Sequence, residues 1–181
     1  VERLLPYFVD KERICPRILI RDDRTDTPIA LNEYLSRDNK QIVELAVDDP
    51  TFSFPSVDGE RTFRVRVFKF FAPRSSKSKV ALVAHRREVT EYPLQNYIPE
   101  FADEFYEPVP GEEDAKGRNF VIKAYVFGDY LNENVSLERG EFRFQSDSDL
   151  LNGISQSQIE QRAAETAQTA VGTEITERRK R

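Results

Sequence analysis

The sequence predicts an α+β domain, and three observations carry that expectation. Residues 61–71 set Phe63, Val65 and Val67 alternately with Arg64 and Arg66, the period-two pattern of a half-exposed antiparallel strand. Residues 119–127 (NFVIKAYVF) form a second long run of β-branched and aromatic residues. Ser157-Gln158-Ile159-Glu160 spells a capping box, and it opens a stripe of Ile159, Ala163, Ala167, Ala170, Val171 and Ile175 at helical spacing.

The remaining elements follow in chain order. Val1, Leu4, Leu5, Phe8 and Val9 share one helical stripe, with Pro6 tolerated in a first turn or as a kink of a helix that began earlier. Residues 17–21 (RILIR) read as a strand ending at the polar turn Asp22-Asp23-Arg24. Residues 29–35 fit neither period cleanly, and 41–47 read as another strand. After the strand at 61–71, residues 73–78 are a turn and 79–84 (KVALVA) the returning strand. Pro93 and Pro99 keep any helix in 89–101 short. Residues 101–118 read as a loop rich in acid, Pro and Gly, 128–140 as another loop, and 141–144 as a brief strand. A Ser/Asp linker then leads into the C-terminal helix, which runs to about Arg178. Its alanine-dominated stripe predicts a helix that rests lightly on a neighbour or leads beyond the chain. The closing Arg178-Arg179-Lys180-Arg181 suits a helix C-terminus by its dipole.

Composition bounds the function. Among 181 residues, 13 Phe and 7 Tyr supply enough apolar surface for one ordinary core. No apolar run approaches the ~20 residues of a membrane span, and the opening residues do not resemble a signal peptide. Cys15 is the lone cysteine, so no internal disulfide forms and a reducing, cytoplasmic setting is expected. Val1 stands where an initiating Met would, and Met is absent, so an excised piece of a longer chain is expected. No Gly-x-Gly occurs, and Gly111, Gly117 and Arg118 have the wrong spacing and residue for a phosphate-cradling loop. One Cys and one His cannot build a usual structural zinc site, so no metal site is expected. A triad built on His85 lacks a nucleophile-elbow motif. The chain by itself is therefore not expected to be an enzyme. Residues 60–88 hold nine Arg and Lys against two Glu, whereas 99–114 hold seven acids and no base. This asymmetry fits a solvated strand face beside an acidic loop, or else a basic strip that meets phosphate or an acidic partner. The net charge of −5 weighs against general nucleic-acid affinity.

Two segments carry a resemblance. Leu82-Val83-Ala84-His85-Arg86-Arg87-Glu88-Val89 and Asn132-Glu133-Asn134-Val135-Ser136-Leu137-Glu138-Arg139-Gly140-Glu141-Phe142-Arg143-Phe144 together resemble the second, or transducer, domain of the GHKL ATPase superfamily, which includes MutL mismatch-repair proteins, gyrase B subunits and heat-shock chaperones. In MutL-like members a strand ends in V-N-G-R-x-V, and a later loop reads N-V-H-P-x-K-x-E-V-R-F. Asn134 and Val135 match the opening of that loop; Glu141, Arg143 and Phe144 match its end; Arg139 stands in place of its lysine. Arg87 and Val89 match the first motif, while His85 replaces its Asn and Arg86 its Gly. Leu137 replaces the loop's proline and Phe142 its valine. Residues 126–144 are more similar still to a bacterial and archaeal group of histidine-kinase-like ATPases with the pattern V-x-G-D-Y-L-x-E-N-V-x-x-E-R-x-E-F-x-F.

The resemblance implies a ribosomal protein S5 domain 2-like fold, with a mixed β-sheet of about four main strands, helices on one face and a C-terminal helix. It implies residues 1–12 as the end of a connecting helix from an upstream ATPase domain, 13–145 as the transducer domain, 146–156 as a linker and 157–181 as the C-terminal helix. Arg139 would then be the catalytic cation, reaching the γ-phosphate when the domains close, with Asn134 and Arg87 beside it as nucleotide-binding residues. Cations inserted this way contribute roughly 10³–10⁵ in rate, about 4–7 kcal/mol of barrier. ATP and Mg²⁺ would be held mainly by the upstream domain, which is the implied partner, and no cofactor is expected on this piece alone. A homodimer is a possible further partner, no membrane partner is expected, and nucleic acid is a possible partner that the sequence does not indicate. The alternative is a non-catalytic module whose basic strand face, Arg64 and Arg66 included, binds an acidic partner or nucleic acid.

Overall fold

The computed structural model describes residues 2–9, 15–22, 24–32, 41–71, 73, 77–108, 117–138, 140–144 and 153–179. A helical turn at Glu2–Leu4 continues into α1 (Leu5–Val9). Strands β1 (Leu19–Asp22) and β2 (Thr25–Ala30) pair only with each other. The large sheet holds β3 (Ile42–Leu45), β4 (Thr51–Ser56), β5 (Gly59–Phe71), β6 (Lys79–Ala84), β7 (Arg87–Pro93), β8 (Phe105–Glu107) and β9 (Arg118–Phe127). Helix α2 (Asp129–Glu133) follows β9 directly, and α3 (Gln156–Ala170) and α4 (Gly172–Arg179) close the chain. The architecture is α+β, with a mixed sheet and a C-terminal helical segment.

Central β5 and β9 are the longest strands and pair antiparallel from Arg64↔Phe127 to Phe71↔Phe120. The path runs β3-β5-β9-β6-β7, with β4 on β5 and β8 on β9. Among the described strands β6 and β9 form the one parallel pair, so both end at the same edge of the sheet. The sheet has seven strands where about four main ones are expected. The additions are β4, which pairs with β5 ahead of the strand read at 61–71, β8, inside the stretch read as an acidic loop, and β7, which overlaps the start of the stretch read as a short helix. A bulge beside Leu82 and Val83 breaks the alternation of β7 and hides its period. By contrast, the strand expected at 141–144 reduces to a single bridge, Val135↔Phe142.

Phe63, Val65 and Val67 are buried while Arg64 is exposed, the half-exposed alternation expected of this strand, but from Phe68 to Phe71 both faces bury apolar side chains, and helical segments lie on both faces of the sheet where one was expected. Phe63, Val65, Val67 and Phe71 of β5 join Val80, Leu82, Phe120, Ile122, Ala124 and Val126 under the helices. Phe68 and Phe70 face the other way with Ala81, Val83, Val121 and Tyr125, beneath Leu5 of α1. The alanine stripe of α3 does not rest lightly. Ala163, Ala164 and Ala167 are fully buried in the main cluster, because small side chains let a helix approach a sheet closely. The capping box falls two residues earlier than expected. The Ser155 hydroxyl accepts from the Gln158 amide, and the Gln158 side chain accepts from the Ser155 amide. With Ser155 as cap, Ile154 and Ile159 flank the first turn and both enter the core, an arrangement that Ser157 could not provide. A break at Val171 splits the helix expected to run unbroken to about Arg178. The expected boundary at residue 12, most of the linker at 146–156 and the closing Lys180-Arg181 lie outside the described residues.

Candidate functional site

The parallel ends of β6 and β9 bring the two motif segments together. From β6 the chain turns through His85 and Arg86 into β7, and both residues have positive φ, +48° and +66°. Two central residues at positive φ are the type I′ pattern that matches the twist of a two-residue hairpin. From β9 the chain passes Gly128 into α2. A Cβ on Gly128 would stand 3.0 Å from the Phe63 ring and from the Thr62 carbonyl oxygen, so glycine lets α2 begin against β5. Helix α2 thereby sits over the hairpin, and the His85 amide donates to Asn132 Oδ1 at 2.7 Å. Asn132 is thus the residue that joins the two segments. It belongs to the quoted motif, but its role depends on a five-residue helix too short for periodicity to announce.

Beyond α2 the loop at 134–144 is built, not slack. The Asn134 side-chain amide donates to the Tyr130 carbonyl at 2.8 Å and its own carbonyl accepts from the Arg143 amide at 2.7 Å. Buried Ser136 donates its amide to the Glu141 carbonyl at 2.9 Å, and its hydroxyl accepts from the Gly140 and Glu141 amides. Phe142 and Phe144 stack on each other and Phe144 on Tyr130, which fixes the loop base to the core. Among the described side chains of this stretch, Leu137 is 95% exposed, and Glu138, Glu141 and Arg143 are exposed as well.

The expected site residues fare differently. Asn134 shapes the loop by capping α2, a positioning task. Arg87 opens β7 as an exposed side chain, two residues from the His85 contact. Arg139 lies outside the described residues, between exposed Glu138 and exposed Gly140. Among the described residues no group of three or more His, Cys, Asp or Glu gathers to hold a metal ion. The described residues therefore offer an anchored loop and a hairpin end brought together by Asn132.

The basic strip is largely engaged within the fold. Arg66 donates through two nitrogens to Glu44 at 2.6 Å each, and Lys69 reaches Glu107 and Glu174 at 3.1 Å. Arg61 pairs with Glu133 of α2 at 3.2 Å, and Lys79 pairs with Glu91. Lys123 of β9 is buried against Glu88 at 2.8 Å and Glu91 at 3.2 Å. Burial opposes charge on Glu91, but the Lys79 hydrogen bond and the Lys123 charge outweigh it and bring the carboxyl down to about 2. For Glu88 burial wins over the attraction of Lys123, and its carboxyl is pushed up. Exposed Arg64 remains on the strand, so the broad docking face suggested by charge counting is much reduced.

No helix is long and apolar enough to cross a membrane, among the described residues. No protein-family model, curated protein or solved structure matches the chain at a significant level.

Proposed function

We propose that this chain is the transducer domain of a GHKL-type ATPase and that its loop at 134–144 lends Arg139 to the γ-phosphate of ATP held by an upstream domain. One observation carries the reading: the loop is anchored at both ends by Asn134, Ser136, Phe142 and Phe144 while its tip, Leu137 and Glu138, faces outward. A loop with both ends anchored has less backbone left to order when the domains close, which favours delivery of a cation from it. A guanidinium there meets phosphate oxygens through a fixed fork where lysine offers a point charge. The left-handed backbone of His85 and Arg86 adds support. It is the conformation that Asn-Gly adopts most readily, and Asn-Gly is what the family motif carries at these two positions. Adenine and Mg²⁺ would fall to the upstream domain, since the sequence has no Gly-x-Gly.

The test is Arg139→Ala in the intact protein, with Arg139→Lys as its companion. Turnover of ATP is expected to fall by roughly 10³ or more in the alanine variant, with nucleotide affinity nearly unchanged and partial activity retained by lysine. Unchanged turnover in Arg139→Ala would refute the assignment.

A further inference from the structure

A second contact reaches the His85–Arg86 turn from the opposite side. The Arg86 guanidinium lies 4.0 Å over the Tyr7 ring, and Nη2 donates to the Tyr7 carbonyl at 3.1 Å. Arg66 Nη1 donates to the Val9 carbonyl at 2.5 Å. Two sheet arginines thus satisfy carbonyls in the last turn of α1, where a helix leaves its acceptors unmatched and favours positive charge. Leu5 of the same turn is fully buried on the sheet face opposite α3. The N-terminal segment is therefore held through the very turn that Asn132 holds from the other end.

We infer that the His85–Arg86 turn couples the loop at 134–144 to the N-terminal helix, so that loosening either one loosens the other. Consecutive non-glycine residues at positive φ persist only where their surroundings over-determine them. Among the described residues, Asn132 holds the His85 amide and Tyr7 engages the Arg86 side chain. Each anchor relies on the turn geometry that the other maintains, and such dependence between two sites is reciprocal. The inference rests on the proposed function for its meaning, since it makes Asn132 and Arg86 positioning residues that carry the state of the nucleotide-facing loop to α1. Its physical content needs no nucleotide.

Amide hydrogen exchange on the 181-residue chain tests it, with Asn132→Ala perturbing one side and Tyr7→Ala the other. Asn132→Ala is expected to speed exchange of amides in 5–9 about fivefold, the factor produced by losing one hydrogen bond of ordinary net strength. Tyr7→Ala is expected to speed the Ser136 and Arg143 amides by a similar factor, with the α3 amides unchanged in both. Effects confined to the mutated side would overturn the coupling. If the Asn132 variant fails to fold, Tyr7→Ala alone decides: faster exchange of the Ser136 and Arg143 amides supports the coupling, and wild-type exchange there overturns it. Because the readout is free of ATP, an inert Arg139 leaves this result standing, and an uncoupled turn leaves the Arg139 assignment standing.

Discussion

Replacing Arg86 by glycine sets two opposing effects against each other at one residue. Glycine relieves the left-handed backbone at φ +66°, a gain of about 1 kcal/mol. The same change removes the guanidinium over Tyr7, worth about 0.5–2 kcal/mol, and a hydrogen bond from a charged donor to the Tyr7 carbonyl, about 1.5–3 kcal/mol. Glycine also adds freedom to the unfolded chain, which cancels part of the gain. The clamp is therefore expected to win, with Arg86→Gly destabilising by about 1–4 kcal/mol, or roughly 2–16 °C in melting temperature for a chain of this size. Urea unfolding in wild-type and Tyr7→Leu backgrounds separates the contributions. In the leucine background the penalty should shrink by about 0.5–2 kcal/mol, because the ring contact is already gone while the backbone carbonyl remains. A stabilised Arg86→Gly variant would refute the reasoning, since it would mean that the turn is only strained and nothing holds it.

Three further outcomes follow from the same geometry. Gly117 has φ +79°, and a Cβ there would stand 2.5 Å from the Glu107 carbonyl oxygen, so Gly117→Ala should cost at least about 2 kcal/mol in denaturant unfolding. Gly172→Ala, with nothing within 4 Å, should be neutral or stabilising by up to about 1 kcal/mol. Arg178 of α4 donates to the carbonyls of Glu100, Asp103 and Glu104 and lies over Phe105, so Arg178→Met, which keeps the stem, should cost about 2 kcal/mol and speed exchange in α4.

Glu160 gives a pH-dependent outcome. It is 3% exposed on α3, and burial pushes its carboxyl above the ordinary 4.5 even though Tyr97 and Gln156 donate to it. A carboxyl raised in the folded state stabilises fully below its unfolded value, and that contribution is lost as pH rises through the folded one. Glu160→Gln keeps an oxygen for the Tyr97 hydroxyl and does not titrate. Its melting temperature relative to wild type should therefore climb as pH rises above about 4.5, and a flat difference between pH 4 and 8 would contradict this.

Long, strongly patterned elements were legible in the sequence, and short ones were not. β5, β6 and β9 follow from their alternation and β-branched runs because pattern and burial coincide there. The S-x-x-E/Q signature correctly announces a helix, but two overlapping copies compete. Only the staple formed by Ile154 and Ile159 selects Ser155 over Ser157. Helix α2 escapes notice because five residues with a single buried apolar side chain, Leu131, carry no period. In the candidate site, Asn134 and Arg87 can be named from motif spacing. Asn132, Ser136 and Tyr7 cannot, since their roles arise from contacts across 47 residues, from a hydroxyl folded back on its own loop, and from a helix seated on the second face. The basic strip shows the converse: Arg66, Lys69 and Lys79 look available in the sequence, yet Glu44, Glu107, Glu174 and Glu91 lie within reach only after folding.

The central claim, that the loop at 134–144 meets a nucleotide held by another domain, is tested most directly by photolabelling the intact protein with an ATP analogue carrying its reactive group on the γ-phosphate. Label is expected on the peptide that contains Leu137, Glu138 and Arg139, and an excess of unmodified ATP should abolish it. Labelling of the upstream domain alone, with none on this loop, would contradict the claim.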